Sequence, residues 1–187
     1  MKNPIPPDRF RELIADVCEY RYSVQNIARY GTIEYWDVSL VEDMSGAFRD
    51  RRGFDQDLSR WDVSRVVSMR EMFCDAEDFN HPLGDWDVGQ VTDMAGMFRN
   101  SPTFNQPLEN WNIGRVTTLR EMFANAVSFD QELERWDVGR VTNMSRMFTF
   151  AHAFRRRLSR WCVCDVDDDM FGSVAARKRA RLRCCKL

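Results

Sequence analysis

Trp136-Asp137-Val138-Gly139-Arg140-Val141-Thr142-Asn143-Met144-Ser145-Arg146-Met147-Phe148 is the stretch that decides the fold. With small changes it recurs every 25 residues, and the tryptophans Trp36, Trp61, Trp86, Trp111, Trp136 and Trp161 mark the period. A fixed period of this length points to stacked coils rather than to one central core. The rest of the unit moves in step. An acid or amide follows Trp in five copies (Asp37, Asp62, Asp87, Asn112, Asp137), and then a β-branched residue (Val38, Val63, Val88, Ile113, Val138). Phe48, Phe73, Phe98, Phe123 and Phe148 form one aromatic column, and Phe54, Phe79, Phe104, Phe129 and Phe154 form a second. Leu58, Leu83, Leu108, Leu133 and Leu158 close the unit.

Two periodicities alternate inside each unit. Met69, Met72, Phe73, Ala76 and Phe79 are spaced 3, 1, 3 and 3 apart, which predicts a short helix with one apolar stripe. The residues from Trp to Met are β-branched and turn-forming, which predicts a turn and a strand of roughly three residues. The expected fold is therefore an α/β solenoid. It is a right-handed, leucine-rich-repeat-like stack of about six 25-residue strand–short-helix coils with an N-terminal helical cap. Residues 1–35 form the cap, with helices expected from Asp8 to about Tyr20 and from Ser23 to Tyr30, the second ending at Gly31. Residues 36–160 hold five repeats. Residues 161–187 hold a degenerate sixth, in which Met170-Phe171 arrives two residues early, and then a C-terminal cap and basic tail. All of this is one structural domain.

Residues 25–160 resemble the leucine-rich-repeat-like family of BspA-type surface proteins and mycoplasma surface lipoproteins. That family's signature reads approximately Trp-Asp-Val-Ser-x-Val-Thr-x-Met-x-x-Met-Phe, and 136–148 match it, as do four other units nearly as well. The lead-in Tyr30-Gly31-Thr32-Ile33-Glu34-Tyr35-Trp36 is similar too. The resemblance implies a repeat fold and a role in adhesion or protein binding; similar arrays occur in large DNA viruses and protists.

Composition narrows the function classes. The 187 residues carry a formal net charge of −2, so no global field favours nucleic acid or a membrane surface. The first ten residues hold three prolines and no apolar run, which does not read as a secretory signal. No run of 18 apolar residues offers a membrane span. An intracellular or virion location is the expectation. The six cysteines do not follow the repeat and read as reduced thiols.

Each candidate site has a plainer reading beside it. The acid column after Trp could gather calcium, or each side chain could cap the backbone of the following turn. Asp55, Asn80, Asn105 and Asp130, beside Gln56, His81, Gln106 and Gln131, could form a ladder satisfying backbone groups; His81 then serves the ladder rather than acting as a base. The Met and Phe columns read as core rather than as a soft-metal site. Cys162, Cys164, Cys184 and Cys185 could bind zinc or, beside basic residues, carry lipid. No nucleophile–base pair and no phosphate loop is proposed, so no catalytic, cofactor or metal residues are assigned.

The surface columns are where binding should lie. Arg65, Gln90, Arg115 and Arg140 align on the strand side. Arg60, Arg135 and Arg160 align before Trp, and Arg155, Arg156 and Arg157 cluster in the fifth coil. The expected function is a non-enzymatic protein-interaction or structural module, a peripheral subunit of a larger assembly such as a virion, with a protein partner. A surface-displayed adhesion or host-recognition module is the alternative. A third reading is nucleic-acid binding through the basic tail, Arg177 to Lys186.

Overall fold

The structure, a computed structural model, describes residues 3–19, 23–161 and 169–171. Helix α1 spans Phe10–Cys18, after a single 3-10 turn at Pro7–Arg9. Phe10, Leu13, Ile14 and Val17 fall at helical spacing, and the first three are buried. Phe10 meets the edge of the Trp61 ring at 5.9 Å. Helix α2 spans Val24–Tyr30; the Ser23 hydroxyl accepts from the Asn26 N–H, and Gly31 ends the helix at φ +86°, where glycine carries no side-chain penalty.

From Trp36 onward, residues 25 apart lie on top of one another. Isolated parallel bridges join Asp43 to Ser68, Ser68 to Asp93, Asp93 to Thr118 and Thr118 to Asn143. The indole rings of Trp36 and Trp61, Trp111 and Trp136, and Trp136 and Trp161 stack at 6.2–6.4 Å with interplanar angles of 2–7°. In the first Phe column successive rings are 5.3–5.8 Å apart. In the second they are 6.0–6.2 Å apart. Within each unit the two columns touch at 3.9–4.2 Å. Offset aromatic stacking at these separations adds about 0.5–1.5 kcal/mol per pair beyond the area buried. The core is therefore a continuous aromatic seam running the length of the stack.

The expected helix and strand inside each unit are replaced by turns. Among the described residues no α-helix follows Tyr30, and the strand narrows to one bridging residue per unit. The reason lies in where alternate N–H groups go. Those of Met69, Glu71, Phe73 and Asp75 donate to the carbonyls of Asp93, Ala95, Met97 and Arg99 in the next unit. The intervening Met72, Cys74 and Ala76 donate three residues back within their own unit. An α-helix would need all of them four residues back. Glu71 and Asp75 adopt φ of +53° and +59°, which turns the chain out of a helix twice per unit. The side chains still face where the stripe placed them: Met69, Met72, Phe73, Ala76 and Phe79 are all buried.

At the far end, Phe171 stacks on Phe148 at 5.5 Å and the Phe148 N–H donates to the Met170 carbonyl. Elsewhere that bond spans two more residues, as from Phe123 to Met147, so the early Met170-Phe171 is in register in space. Cys162, Cys164, Cys184, Cys185 and the expected C-terminal helix lie outside the described residues.

Candidate interaction columns

Most polar columns are used by the fold itself. Oδ1 of Asp37, Asp62, Asp87, Asn112 and Asp137 each accepts the backbone N–H two residues on, at 3.0–3.2 Å. That is the Asx turn, and Asn112 serves it as well as the acids do. Hydrogen bonds from the Ser64 hydroxyl and backbone hold the Asp62 carboxyl below its ordinary range. The same logic runs through the bridge column, where Asp43, Asp93 and Asn143 cap the N–H of Ser45, Ala95 and Ser145.

The second column is a ladder. Asn80 Oδ1 accepts the Asn105 N–H and Asn105 Oδ1 accepts the Asp130 N–H, each at 2.9 Å. Gln106 Nε2 donates to the Asn80 carbonyl and Gln131 Nε2 to the Asn105 carbonyl, at 2.9 and 3.0 Å. His81 Nε2 takes the equivalent place 3.2 Å from the Asp55 carbonyl. Arg156 does the same in the fifth unit: its Nε donates to the Asp130 carbonyl at 2.8 Å, and it pairs with Asp130 and Glu132. Arg156 is therefore not one of the free surface arginines expected from the sequence, and its place 25 residues after Gln131 is the signal that it belongs to the ladder.

A charged rung crosses the turns. Arg99 bridges Glu71 and Glu121 at 3.5 and 2.9 Å, Arg49 pairs with Glu71 at 2.6 Å, and Arg120 with Glu121 at 2.8 Å. The Arg99 guanidinium also donates to Cys74 Sγ, and Cys74 donates to Asp75 Oδ2 at 2.9 Å. Burial, and then the neighbouring Asp75 carboxylate, push the Cys74 thiol up to about 11. Such a thiol is protonated at neutral pH and not nucleophilic.

The surface columns are less uniform than the sequence suggests. Arg65 donates to Glu42 at 2.9 Å and Arg115 to Gln90 at 2.5 Å, while Arg60 lies 5.1 Å over the Tyr35 ring. Arg155 donates to the His152 and Phe154 carbonyls. The exposed guanidinium groups of Arg135, Arg140, Arg157 and Arg160 have no partner among the described residues, and all four belong to the last turns of the stack. Near α1 a cleft of about 520 Å³ is lined by Val17, Ile33, Phe54 and Arg51 among others, with no histidine on its walls. Among the described residues no three His, Cys, Asp or Glu side chains gather as a metal site would require, and no helix is long and apolar enough to cross a membrane.

These features define a repeat protein whose polar columns mainly serve its own backbone. The family described as "Mycoplasma protein of unknown function, DUF285" matches the chain twice, over residues 18–116 and 83–181. The chain belongs to that family. No curated protein and no solved structure matches it.

Proposed function

We propose that the chain is a right-handed solenoid acting as a non-enzymatic protein-interaction or structural module, a peripheral subunit of a larger assembly. The observation that carries the reading is how its polar groups are spent. The acid column caps turns, the amide column and His81 satisfy carbonyls, and the buried thiol is held protonated. What remains outward-facing is a set of side chains at fixed spacing, and the arginines without a partner among the described residues gather toward the end of the stack. A rigid array of this kind suits recognition of an acidic protein surface, since charge complementarity sets orientation and encounter rate. The BspA-type resemblance supports the same class of role. The resemblance to surface proteins of the BspA type also favours a second reading, a displayed adhesion module.

The experiment is copurification from the native source with tagged wild type and with a variant carrying Arg135→Glu, Arg140→Glu, Arg157→Glu and Arg160→Glu. A protein recovered stoichiometrically by the wild type and reduced at least tenfold by the variant supports the reading. Equal recovery by both places binding elsewhere. Recovery only from the outer surface of intact cells favours the adhesion module.

A further inference from the structure

The amide ladder changes its chemistry along the stack in a matched way. Each rung sets a donor side chain against the carbonyl and the side-chain oxygen of one residue in the coil before. Where that residue is Asn80 or Asn105, the donor is a neutral amide. Gln106 Nε2 reaches Asn80 Oδ1 at 3.1 Å, and Gln131 Nε2 reaches Asn105 Oδ1 at 2.8 Å. Where it is an acid, the donor is a side chain that can carry positive charge. Arg156 pairs with Asp130 Oδ2 at 3.0 Å, and His81 Nε2 lies 3.1 Å from Asp55 Oδ1 and 3.2 Å from the Asp55 carbonyl. Charge thus faces charge, and amide faces amide. Of the two charged rungs only the first responds to pH near neutrality, because guanidinium stays charged while imidazole changes its charge between about pH 5 and 8.

The Asp55 carbonyl and ionised carboxylate can only accept, so His81 Nε2 holds a proton in either charge state. Neutral imidazole shares that one hydrogen between two acceptors, where a glutamine amide offers one to each. A second proton on the ring keeps the hydrogen in place and sets a cation against a carboxylate, which strengthens the bond. Asp57 is a further carboxylate within reach. The Ser59 backbone and hydroxyl hold it below its ordinary range, and charge on His81 and then on Arg60 adds to this. The Phe79 ring lies 6.1 Å from the imidazole. From the coil beyond, Asn105 and Gln106 bond to Asn80, and both are neutral.

We infer that the Asp55–His81 rung is a proton-sensitive latch, which fastens the second coil to the first in mild acid and loosens as the medium turns alkaline. The sign follows from the pairing: the folded chain favours protonated His81. The added stability is therefore present in mild acid and lost as pH rises through the imidazole range, near 6.5. Below about pH 4 the carboxylate takes up a proton and the pair is lost again. The Asp55 and His81 side chains are 53% and 32% exposed, so solvent screens the pair and the gain is about two- to fivefold in the folding equilibrium. The latch needs no partner and stands or falls apart from the interaction role proposed above.

The test compares the full chain with His81→Gln, which installs the neutral donor of the third and fourth coils, by urea denaturation at about pH 5.5 and about pH 8. His152 is common to both chains and cancels in the comparison. Relative to His81→Gln, the wild type should gain about two- to fivefold in its folding constant on going to the lower pH. In the Asp55→Asn background the same substitution should show less than half of that gain. Amide exchange locates the effect. The Asp78 N–H, which donates to the Arg52 carbonyl across the same joint at 2.9 Å, should gain protection in acid after correction for its intrinsic rate. The Ser128 N–H, which donates to the Pro102 carbonyl beside the neutral Asn105–Gln131 rung, should not. A wild-type advantage that ignores pH or shrinks in acid would overturn the latch. So would a gain that survives Asp55→Asn undiminished, or one that protects Ser128 as much as Asp78.

Discussion

Each tryptophan serves packing and hydrogen bonding together. From Trp61 onward the indole Nε1–H donates 28 residues back, as from Trp86 to the Leu58 carbonyl at 3.0 Å, whereas Trp36 donates to the Gly31 carbonyl. The same bond recurs at Trp61, Trp111, Trp136 and Trp161. Phe would fill the column but abandon the carbonyl. Trp86→Ala should therefore cost about 3–5 kcal/mol through the void it leaves. Trp86→Phe should cost about 0.5–1.5 kcal/mol, the lower figure because the Leu58 carbonyl keeps the Trp61 backbone N–H. Urea denaturation of both variants checks the order; equal losses would contradict it. The Asx column predicts a pH effect. Because the native Asp62 carboxyl titrates below its ordinary value, its contribution is present above about pH 4 and is lost as pH falls through the lowered value. Asp62→Asn keeps an acceptor oxygen, as Asn112 does. Its stability deficit at pH 7 should shrink toward zero by pH 3, and a deficit that does not change with pH would count against the cap.

At the scale of the element, the unit is held by cross-unit rungs rather than by a helix. Arg99 is the clearest rung, because Glu71 and Glu121, only 18% and 14% exposed, face it from the units on either side. Arg99→Ala should cost about 1–3 kcal/mol at pH 7, since the carboxylates keep only Arg49 and Arg120. The cost should fall toward pH 4, where Glu121 takes up a proton more readily without its partner. Denaturation at the two pH values checks this, and a cost that grows on acidification would refute it. Much of the unit was legible in the sequence. The columns, the turn-capping role of the acids and the ladder role of His81 follow from recurrence alone. The helix did not, because spacings of 3, 1, 3 and 3 suit consecutive three-residue turns as well as an α-helix. The distinguishing sign was present but faint: Gly46 and Gly96 at one position, and Asp50, Asp75, Asn100 and Asn125 at another, mark two left-handed residues per unit.

For the whole molecule, neighbour-to-neighbour bonding makes the unit the natural quantum of change. Excising residues 86–110 removes one complete turn and brings Asp85 to Trp111, so the columns rejoin in register. The shortened chain should fold cooperatively at a lower melting temperature. Excising 98–110 breaks register and should abolish the cooperative transition in circular dichroism. The opposite ranking would rule out stacking by 25-residue units. The distance between outward positions of one column tests the stack itself most directly. Nitroxides placed at Leu40 and Arg115, and at Leu40 and Arg140, lie three and four units apart. Double electron–electron resonance should give backbone separations near 14 and 19 Å, a step of about 4.8 Å per unit. Two distances that are equal, or that differ by much more than one unit's rise, would contradict the stacked arrangement.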